Sequence, residues 1–224
     1  MTKFVDRADA GRQLARRLDY LRSEPVVILG LPRGGVRVAF EVAKALDAPL
    51  DVIIVRKLGF PRQPELAMGA IGEGGARIHN ADLLARSRVS EQELRTVEAR
   101  EAVRLQERVT RLRPGRERVD LHGRVAVIVD DGIATGSTAR VACMVARQLG
   151  ATKVVLAAPV APADALRGLP GADEVVCVST PAHFVGVGCH YRDFSQTTDD
   201  EVVDLLDAAA RWLQQRDRPA GSSG

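Results

Sequence analysis

The sequence is poor in aromatic residues, cysteine and lysine, and it has no long apolar run. Aromatic side chains make up 4% of the 224 residues, and only four of the 32 basic residues are lysines. The three cysteines, Cys143, Cys177 and Cys189, are too few for a disulfide framework and lack the spacing of a zinc site. No apolar stretch approaches the roughly 20 residues that a membrane-spanning helix needs. These absences exclude a membrane protein, a secreted disulfide scaffold and a zinc finger.

The first residues lead into a charged amphipathic segment without the apolar core of a signal peptide. Together with the expected free thiols, this favours a protein of the reducing cytoplasm.

The sequence also has little excess of charge of either sign. The 32 basic and 29 acidic residues give a formal net charge of +3, which is weak for attracting a polyanion. We therefore expect neither a nucleic acid nor a membrane as a partner. The hydrophobic fraction of 46% excludes intrinsic disorder. The length fits one domain, which we expect to span residues 1–218, with a disordered tail at 219–224.

Short β-branched runs alternate with amphipathic segments along the chain. The runs are almost continuously apolar, as in strands covered on both faces; the predicted strands are Val26–Gly30, Asp51–Val55, Val125–Asp130, Lys153–Ala158 and Glu174–Val178. The predicted helices are Arg7–Leu21, Val36–Leu46, Ser90–Leu112, Ser137–Leu149, Ala163–Leu169 and Asp199–Gln215. The alternation predicts an α/β fold with a five-stranded, mainly parallel sheet and helices on both faces.

Two segments interrupt this alternation. Leu58–Gly75 contains two prolines and five glycines with little helical period, which predicts a long mobile loop with a hairpin in it. In the highly charged segment Ser90–Leu112, Ser90 and Glu93 have the spacing of a capping box. Its thin apolar stripe indicates a helix on the surface or at a contact between subunits.

The segment Val125–Thr138, VAVIVDDGIATGST, is the most informative in the sequence. A strand that runs into a helix N-terminus presents free backbone N–H groups and the positive end of the helix dipole, which suit a phosphate. Thr135, Ser137 and Thr138 add hydroxyl donors, and Gly136 allows a close approach of the backbone. The carboxylates of Asp130 and Asp131 would repel a phosphate, so they must face hydroxyl groups or a divalent cation attached to it. This combination predicts a ribose 5-phosphate site.

The same residues resemble the signature with which type I phosphoribosyltransferases bind 5-phosphoribosyl 1-pyrophosphate (PRPP). The resemblance implies that Asp130 and Asp131 bind the ribose hydroxyls, directly or through Mg²⁺, and that Ala134, Thr135, Gly136, Ser137 and Thr138 bind the 5-phosphate. Two other nucleotide-binding motifs do not fit. The P-loop lysine is missing, and Gly30–Gly35 lacks the dinucleotide-binding spacing.

The resemblance extends to two further loops. After the first predicted strand, Pro32, Arg33, Gly34 and Gly35 correspond to the loop that binds the diphosphate in this family, where Arg33 adds a bidentate contact. After the second, Arg56 and Lys57 lead into the family's flexible loop, here about residues 57–75, which closes over the substrates. The implied catalytic residues are Asp130, Asp131, Arg33 and Lys57, with both Arg56 and Lys57 on the diphosphate.

The segment 179–198 is similar to the hood that covers the base in the purine-using branch of the family. Phe184 is the candidate for stacking on the base, and Val185 for backbone contacts to its edge. Three of the eight aromatic residues of the chain fall between Phe184 and Phe194, although the alternative remains that they only pack in the core. Ala134 stands where the hypoxanthine–guanine branch has an aspartate, so the acceptor base stays open.

The resemblance implies transfer of a phosphoribosyl group from Mg²⁺-bound PRPP to a nitrogen of a nucleobase-like acceptor, with release of diphosphate. It also implies a homodimer, for which the segment Ser90–Leu112 is a plausible contact. The alternative is a regulatory protein that uses the same fold to bind PRPP or a nucleotide without catalysis. The sequence separates these alternatives only in part, through the presence of Arg33, Arg56 and Lys57.

Overall fold

A computed structural model describes residues 4–216 of the protein; the tail predicted at 219–224 lies outside this range. The strands are β1 (Val26–Gly30), β2 (Leu50–Val52), β3 (Val55–Phe60), β4 (Gln63–Gly72), β5 (Arg77–His79), β6 (Val125–Val129), β7 (Lys153–Val160) and β8 (Glu174–Ser179). The α-helices are α1 (Arg7–Arg17), α2 (Gly34–Leu46), α3 (Ala81–Arg86), α4 (Glu91–Leu112), α5 (Ser137–Gln148) and α6 (Asp199–Arg216). None of these helices has the length and apolar character to cross a bilayer, within the part of the chain described.

The central sheet contains five parallel strands in the order β2-β1-β6-β7-β8. All residues of β1 and β6 are buried, as their continuous apolar sequences require for strands that are covered on both faces. Helices α1, α2 and α6 contribute to the apolar cluster on one face, and α5 contributes to the cluster on the other. The predicted α/β fold with a parallel five-stranded sheet is confirmed.

Neighbouring strands β1 and β6 bring two loops together at one edge of the sheet. Gly30 pairs with Val129 at the carboxyl ends of the two strands, and the backbone N–H of Leu31 donates to the carbonyl of Val129 over 2.8 Å. The loop that begins at Pro32 therefore lies beside the loop that begins at Asp130. This edge is where ligands bind in open parallel sheets.

The segment Leu58–Gly75 differs from its prediction. Its hairpin is confirmed, but strands occupy most of the predicted long loop: β3 and β4 pair antiparallel, and β4 also pairs with β5. The side chains of Leu58 and Met68 are buried and belong to the apolar face of the hairpin. Because the segment contains many glycines, this face was not evident from the sequence. Register shifts after Leu58 interrupt the regular alternation.

Smaller differences concern the ends of elements. The predicted strand Asp51–Val55 is divided between β2 and β3, and the predicted helix Arg7–Leu21 ends at Arg17 before a 3₁₀ turn. The predicted helix Ala163–Leu169 is only a 3₁₀ turn over Ala163–Leu166, because Gly168 has a positive φ of 58° and Pro170 cannot continue a helix.

A buried ion cluster fixes the second sheet to the first. Arg113, which follows α4, donates to Asp51 in β2 over 3.0 Å and to Glu73, after β4, over 2.5 Å. The three residues are 4–8% exposed. Because desolvated charges are costly unless they are paired, this cluster holds the base of the hairpin in one position relative to the central sheet.

Candidate functional site

Two glycines allow the Pro32 loop to lie against the end of β6. A Cβ atom on Gly35 would lie 2.6 Å from the carbonyl oxygen of Val129 and 2.9 Å from the Cα of Asp130. A Cβ atom on Gly34 would overlap the carboxylate of Asp131. The peptide bond between Pro32 and Arg33 is cis, and the side chain of Arg33 is exposed. The predicted diphosphate loop thus lies in contact with the predicted sugar-binding carboxylates.

The pKa values of the two carboxylates at the end of β6 are shifted by different neighbours. Burial, together with the charge of Asp131, raises the pKa of Asp130 from 3.8 to about 7. Burial also raises the pKa of Asp131, but a hydrogen bond and the charge of Arg7 oppose this rise. The Oδ1 atom of Asp130 accepts the backbone N–H of Asp131 over 2.9 Å. Asp131 is therefore the carboxylate with a cationic partner.

That cationic partner, Arg7 in the first turn of α1, was missed by the sequence analysis. Its Nε and Nη2 atoms both lie 2.8 Å from Oδ2 of Asp131, and its Nη1 donates to the carbonyl of Ser195 over 2.6 Å. Its guanidinium carbon lies 3.9 Å from the ring centroid of Phe194. A cation in the first turn of a helix opposes the helix dipole, which is the only local signal that singles out this arginine.

The predicted phosphate loop joins the end of β6 to the start of α5. Gly136 has a φ of 71° and immediately precedes α5; having no side chain, it does not cap the first N–H groups of the helix. Thr135, Ser137 and Thr138 are exposed, as is Ala134. The Oγ atoms of Thr135 and Ser137 lie 3.1 Å apart.

A cleft of about 600 Å³ opens beside this loop. Thr135, Gly136 and Ser137 line it, and Lys57 enters from β3, its Nζ atom 2.5 Å from Oγ of Ser137. Further cationic or imidazole side chains on the lining are those of His79, Arg140 and Arg167. The carboxylates of Asp130 and Asp131 are not part of this lining. The cleft therefore lies at the predicted phosphate end of the candidate site, and Lys57 contacts the predicted phosphate loop through Ser137.

Arg56 is directed away from the cleft beside Ser137, and its role on the diphosphate stays a prediction. Its Nε and Nη2 atoms donate to Oε2 of Glu101 in α4 over 3.1 and 2.8 Å. Successive side chains of a strand point to opposite faces, so the neighbours Arg56 and Lys57 in β3 cannot both face the phosphate loop. The structure brings Lys57 to that loop and places Arg56 against α4.

The predicted hood packs directly on the carboxylate pair. Tyr191 donates its hydroxyl to the backbone carbonyl of Asp131 over 2.5 Å, and its ring lies 5.0 Å from that of Phe194. Phe184 is half-buried and stacks on the buried ring of His190 at 5.5 Å and 14°. The side chain of Val185 is 87% exposed. Tyr191 thus joins the hood to Asp131, Phe184 packs within the hood, and of the two predicted base-binding residues only Val185 is fully exposed.

The chemistry of the carboxylates decides what metal they can hold. Across residues 4–216, no group of three or more histidine, cysteine, aspartate or glutamate side chains is arranged to hold a metal ion. Mg²⁺ commonly keeps several water ligands and takes only one or two carboxylates together with phosphate oxygens of a substrate. The pair Asp130 and Asp131 fits that mode of binding and does not fit a closed protein cage.

The sequence itself matches a known family over most of this structure. Residues 6–192, which include both loops, the hairpin and most of the hood, match the phosphoribosyl transferase domain. The chain therefore belongs to the phosphoribosyl transferase domain family.

Particular relatives are also similar. Two curated proteins of Mycobacterium tuberculosis, from strains CDC 1551 / Oshkosh and ATCC 25618 / H37Rv, are provisionally named phosphoribosyl transferases. Each is 59% identical over 212 residues, which cover 94% of this chain and 48% of the relative. The chain thus spans about half the length of these curated relatives. The crystal structure of TT1426 from Thermus thermophilus is 43% identical, covers 91% of this chain and 97% of its own, and superimposes with a TM-score of 0.84.

Proposed function

We propose that this domain transfers a phosphoribosyl group from Mg²⁺-bound PRPP to a nitrogen of a nucleobase-like acceptor and releases diphosphate. The observation that carries the proposal is a glycine loop in contact with a pair of carboxylates, which are followed in the chain by a helix N-terminus that bears exposed hydroxyls. Phosphate, ribose hydroxyls and diphosphate occur in that order along PRPP.

At the phosphate end, the 5-phosphate binds to the backbone and side-chain donors of residues 134–138. The helix dipole of α5 and the ammonium of Lys57, which already contacts Ser137, both favour an anion there. On the lining of the cleft, Lys57, Arg140 and Arg167 outnumber the acidic Asp82 and Asp164, so its charge is positive on balance. A phosphate monoester therefore has matched donors and charge at this position.

At the sugar, both carboxylates are available. Asp131 accepts Arg7 through Oδ2 and Asp130 accepts a backbone N–H through Oδ1, so each carboxylate keeps its other oxygen for a ribose hydroxyl or Mg²⁺. The metal, when bound, supplies charge neutralisation for the diphosphate and is held chiefly by the substrate and water. The charge of the carboxylates also favours the positive character that develops on ribose C1.

The diphosphate is assigned to the Pro32 loop, where Gly34 lies against the carboxylate of Asp131 and the side chain of Arg33 is exposed. As the bond from C1 to the diphosphate breaks, negative charge builds on the leaving group. Preorganised donors aimed at that charge stabilise the transition state, and holding donor and acceptor in line removes part of the entropic barrier. No covalent nucleophile is needed.

The acceptor is placed under the hood, with Phe184 available for stacking and Val185 for backbone contacts. Ala134 provides no carboxylate that could take a proton from the base, so the acceptor is proposed only as a nucleobase-like compound.

Calorimetric titration with PRPP and Mg²⁺ tests the donor site. Asp131→Ala and Thr135→Ala should each weaken binding, whereas Thr110→Ala, which removes an exposed hydroxyl from α4, should not. Unchanged affinity in both site variants would refute the assignment of the loop.

A panel of purines, pyrimidines and orotate tests the reaction. Release of diphosphate with at least one acceptor is expected, and Phe184→Ala should impair use of that acceptor more than PRPP affinity. Binding of PRPP without release for any acceptor would favour the alternative, a regulatory protein without catalysis. A homodimer is expected and can be tested by sedimentation.

A further inference from the structure

Arg7 connects three segments that are distant in sequence. Its guanidinium binds the Asp131 carboxylate with two nitrogens and the Ser195 carbonyl with the third, and it lies on the Phe194 ring. These contacts leave only 7% of the residue exposed. A planar guanidinium held on three sides has little rotational freedom, so the Oδ2 atom of Asp131 is fixed in one direction.

The position of Arg7 relative to the hood gives this contact a second effect. Tyr191 binds the backbone carbonyl of Asp131, while Arg7 joins the side chain of Asp131 to Ser195 in the same hood. Both ends of Asp131 are therefore held by residues that also fix the hood.

We propose that Arg7 is a positioning residue of the transfer site. It orients Asp131 toward the sugar and couples that orientation to the position of the hood. The inference rests on the proposed function, because it assumes that Asp131 contacts the donor. Arg7 itself makes no contact with the reacting atoms and acts through Asp131.

A double-mutant cycle on PRPP affinity tests this role. Arg7→Ala should weaken binding of Mg²⁺-bound PRPP by roughly 10- to 100-fold, the usual effect of removing a group that orients a ligating carboxylate. When Asp131→Ala is already present, adding Arg7→Ala should change affinity little, because the residue through which Arg7 acts is gone. Arg12→Ala on the same helix is the matched control. Its side chain is 54% exposed, and its contacts with acidic side chains are long, at 4.0 and 3.9 Å. PRPP affinity should therefore not change in this variant.

Two further measurements separate positioning from a loss of folding. Guanidinium ion at millimolar concentration should restore part of the affinity of Arg7→Ala, and Arg7→Lys should lie between the wild type and Arg7→Ala, because one ammonium cannot replace the fork of three nitrogens. A purely structural role would show no such rescue.

The outcomes are distinguishable. Unchanged affinity in Arg7→Ala, or effects of Arg7→Ala and Asp131→Ala that simply add, would overturn the inference while leaving the proposed function intact. Unchanged affinity in Asp131→Ala would overturn the inference, and unchanged affinity in Thr135→Ala as well would refute the proposed donor site. Loss in Arg7→Ala that is absent in the Asp131→Ala background and is partly rescued by guanidinium would support the inference.

Discussion

Replacing Asp130 by asparagine should stabilise the folded protein at neutral and alkaline pH. Burial and the neighbouring charge of Asp131 raise the pKa of Asp130 from 3.8 to about 7. The folded protein thus holds this proton more tightly than the unfolded chain, and the free energy of unfolding must fall as the pH rises from 3.8 to about 7. Asparagine does not ionise, so the free energy of unfolding of the variant does not fall in this way as the pH rises.

The size of the effect follows from the pKa. A pKa of about 7 in place of 3.8 corresponds to about 4 kcal/mol at 1.36 kcal/mol for each pKa unit. Solvent reaches part of the side chain and screens its charge, so we expect a gain of roughly 2–4 kcal/mol. An asparagine keeps the Oδ1 atom that accepts the N–H of Asp131, so the turn itself is retained.

Urea unfolding in EDTA between about pH 4 and pH 8.5 measures this difference. The two proteins should be nearly equal in stability at the acidic end; the variant should gain up to about pH 7 and keep that gain to pH 8.5, while losing affinity for PRPP. Asp200→Asn, at an exposed position in the first turn of α6, should show no gain. A difference that does not depend on pH, or a variant less stable at pH 8.5, would refute the reasoning.

Three other substitutions test the framework of the site. Gly35→Ala should destabilise the fold by about 1–3 kcal/mol, because its Cβ would meet backbone atoms of the neighbouring strand end; Gly186→Ala, where the same atom meets open space, should be silent in urea unfolding. Arg113→Met should cost about 3–5 kcal/mol in the same measurement by leaving two buried carboxylates unpaired, and a change below about 1 kcal/mol would contradict this. For Glu101, burial would raise the pKa, but Arg56 and two further arginines outweigh it and lower the pKa below 4.5. Glu101→Gln should therefore be less stable than the wild type at pH 7, and thermal unfolding at pH 3 should show a smaller difference.

The central sheet could be predicted because its signal is local. Continuous apolar runs such as Val125–Val129 are typical of strands that are covered on both faces, and the structure buries all five of these residues. The loop that follows was predictable for a similar reason, since its glycine, hydroxyl and carboxylate residues are adjacent in sequence.

The hairpin shows where local reasoning failed. The glycines and prolines of Leu58–Gly75 predicted a loop, whereas Val55–Phe60 is a strand. Because successive side chains of a strand alternate, Arg56 and Lys57 face opposite ways. Their shared role on the diphosphate, which the family resemblance implied, stays a prediction.

Arg7 could not have been found from its surroundings in the sequence. Its partners Asp131 and Ser195 are 124 and 188 positions away, and their proximity depends on how α1 packs against the sheet. Only the complete arrangement of helices and strands defines that contact.

The same separations bear on the synthesis of the protein. A ribosome releases the chain from its N-terminal end onward, so Arg7 emerges before Asp131 and long before the Ser195 carbonyl. Closing contacts over such long stretches of chain is entropically unfavourable and slow. A nascent chain that stops before Ser195 already contains the residues of β1, β6 and the predicted phosphate loop, yet its Arg7 lacks one of its three contacts. The centre of the site is therefore among the last parts of the domain to become complete.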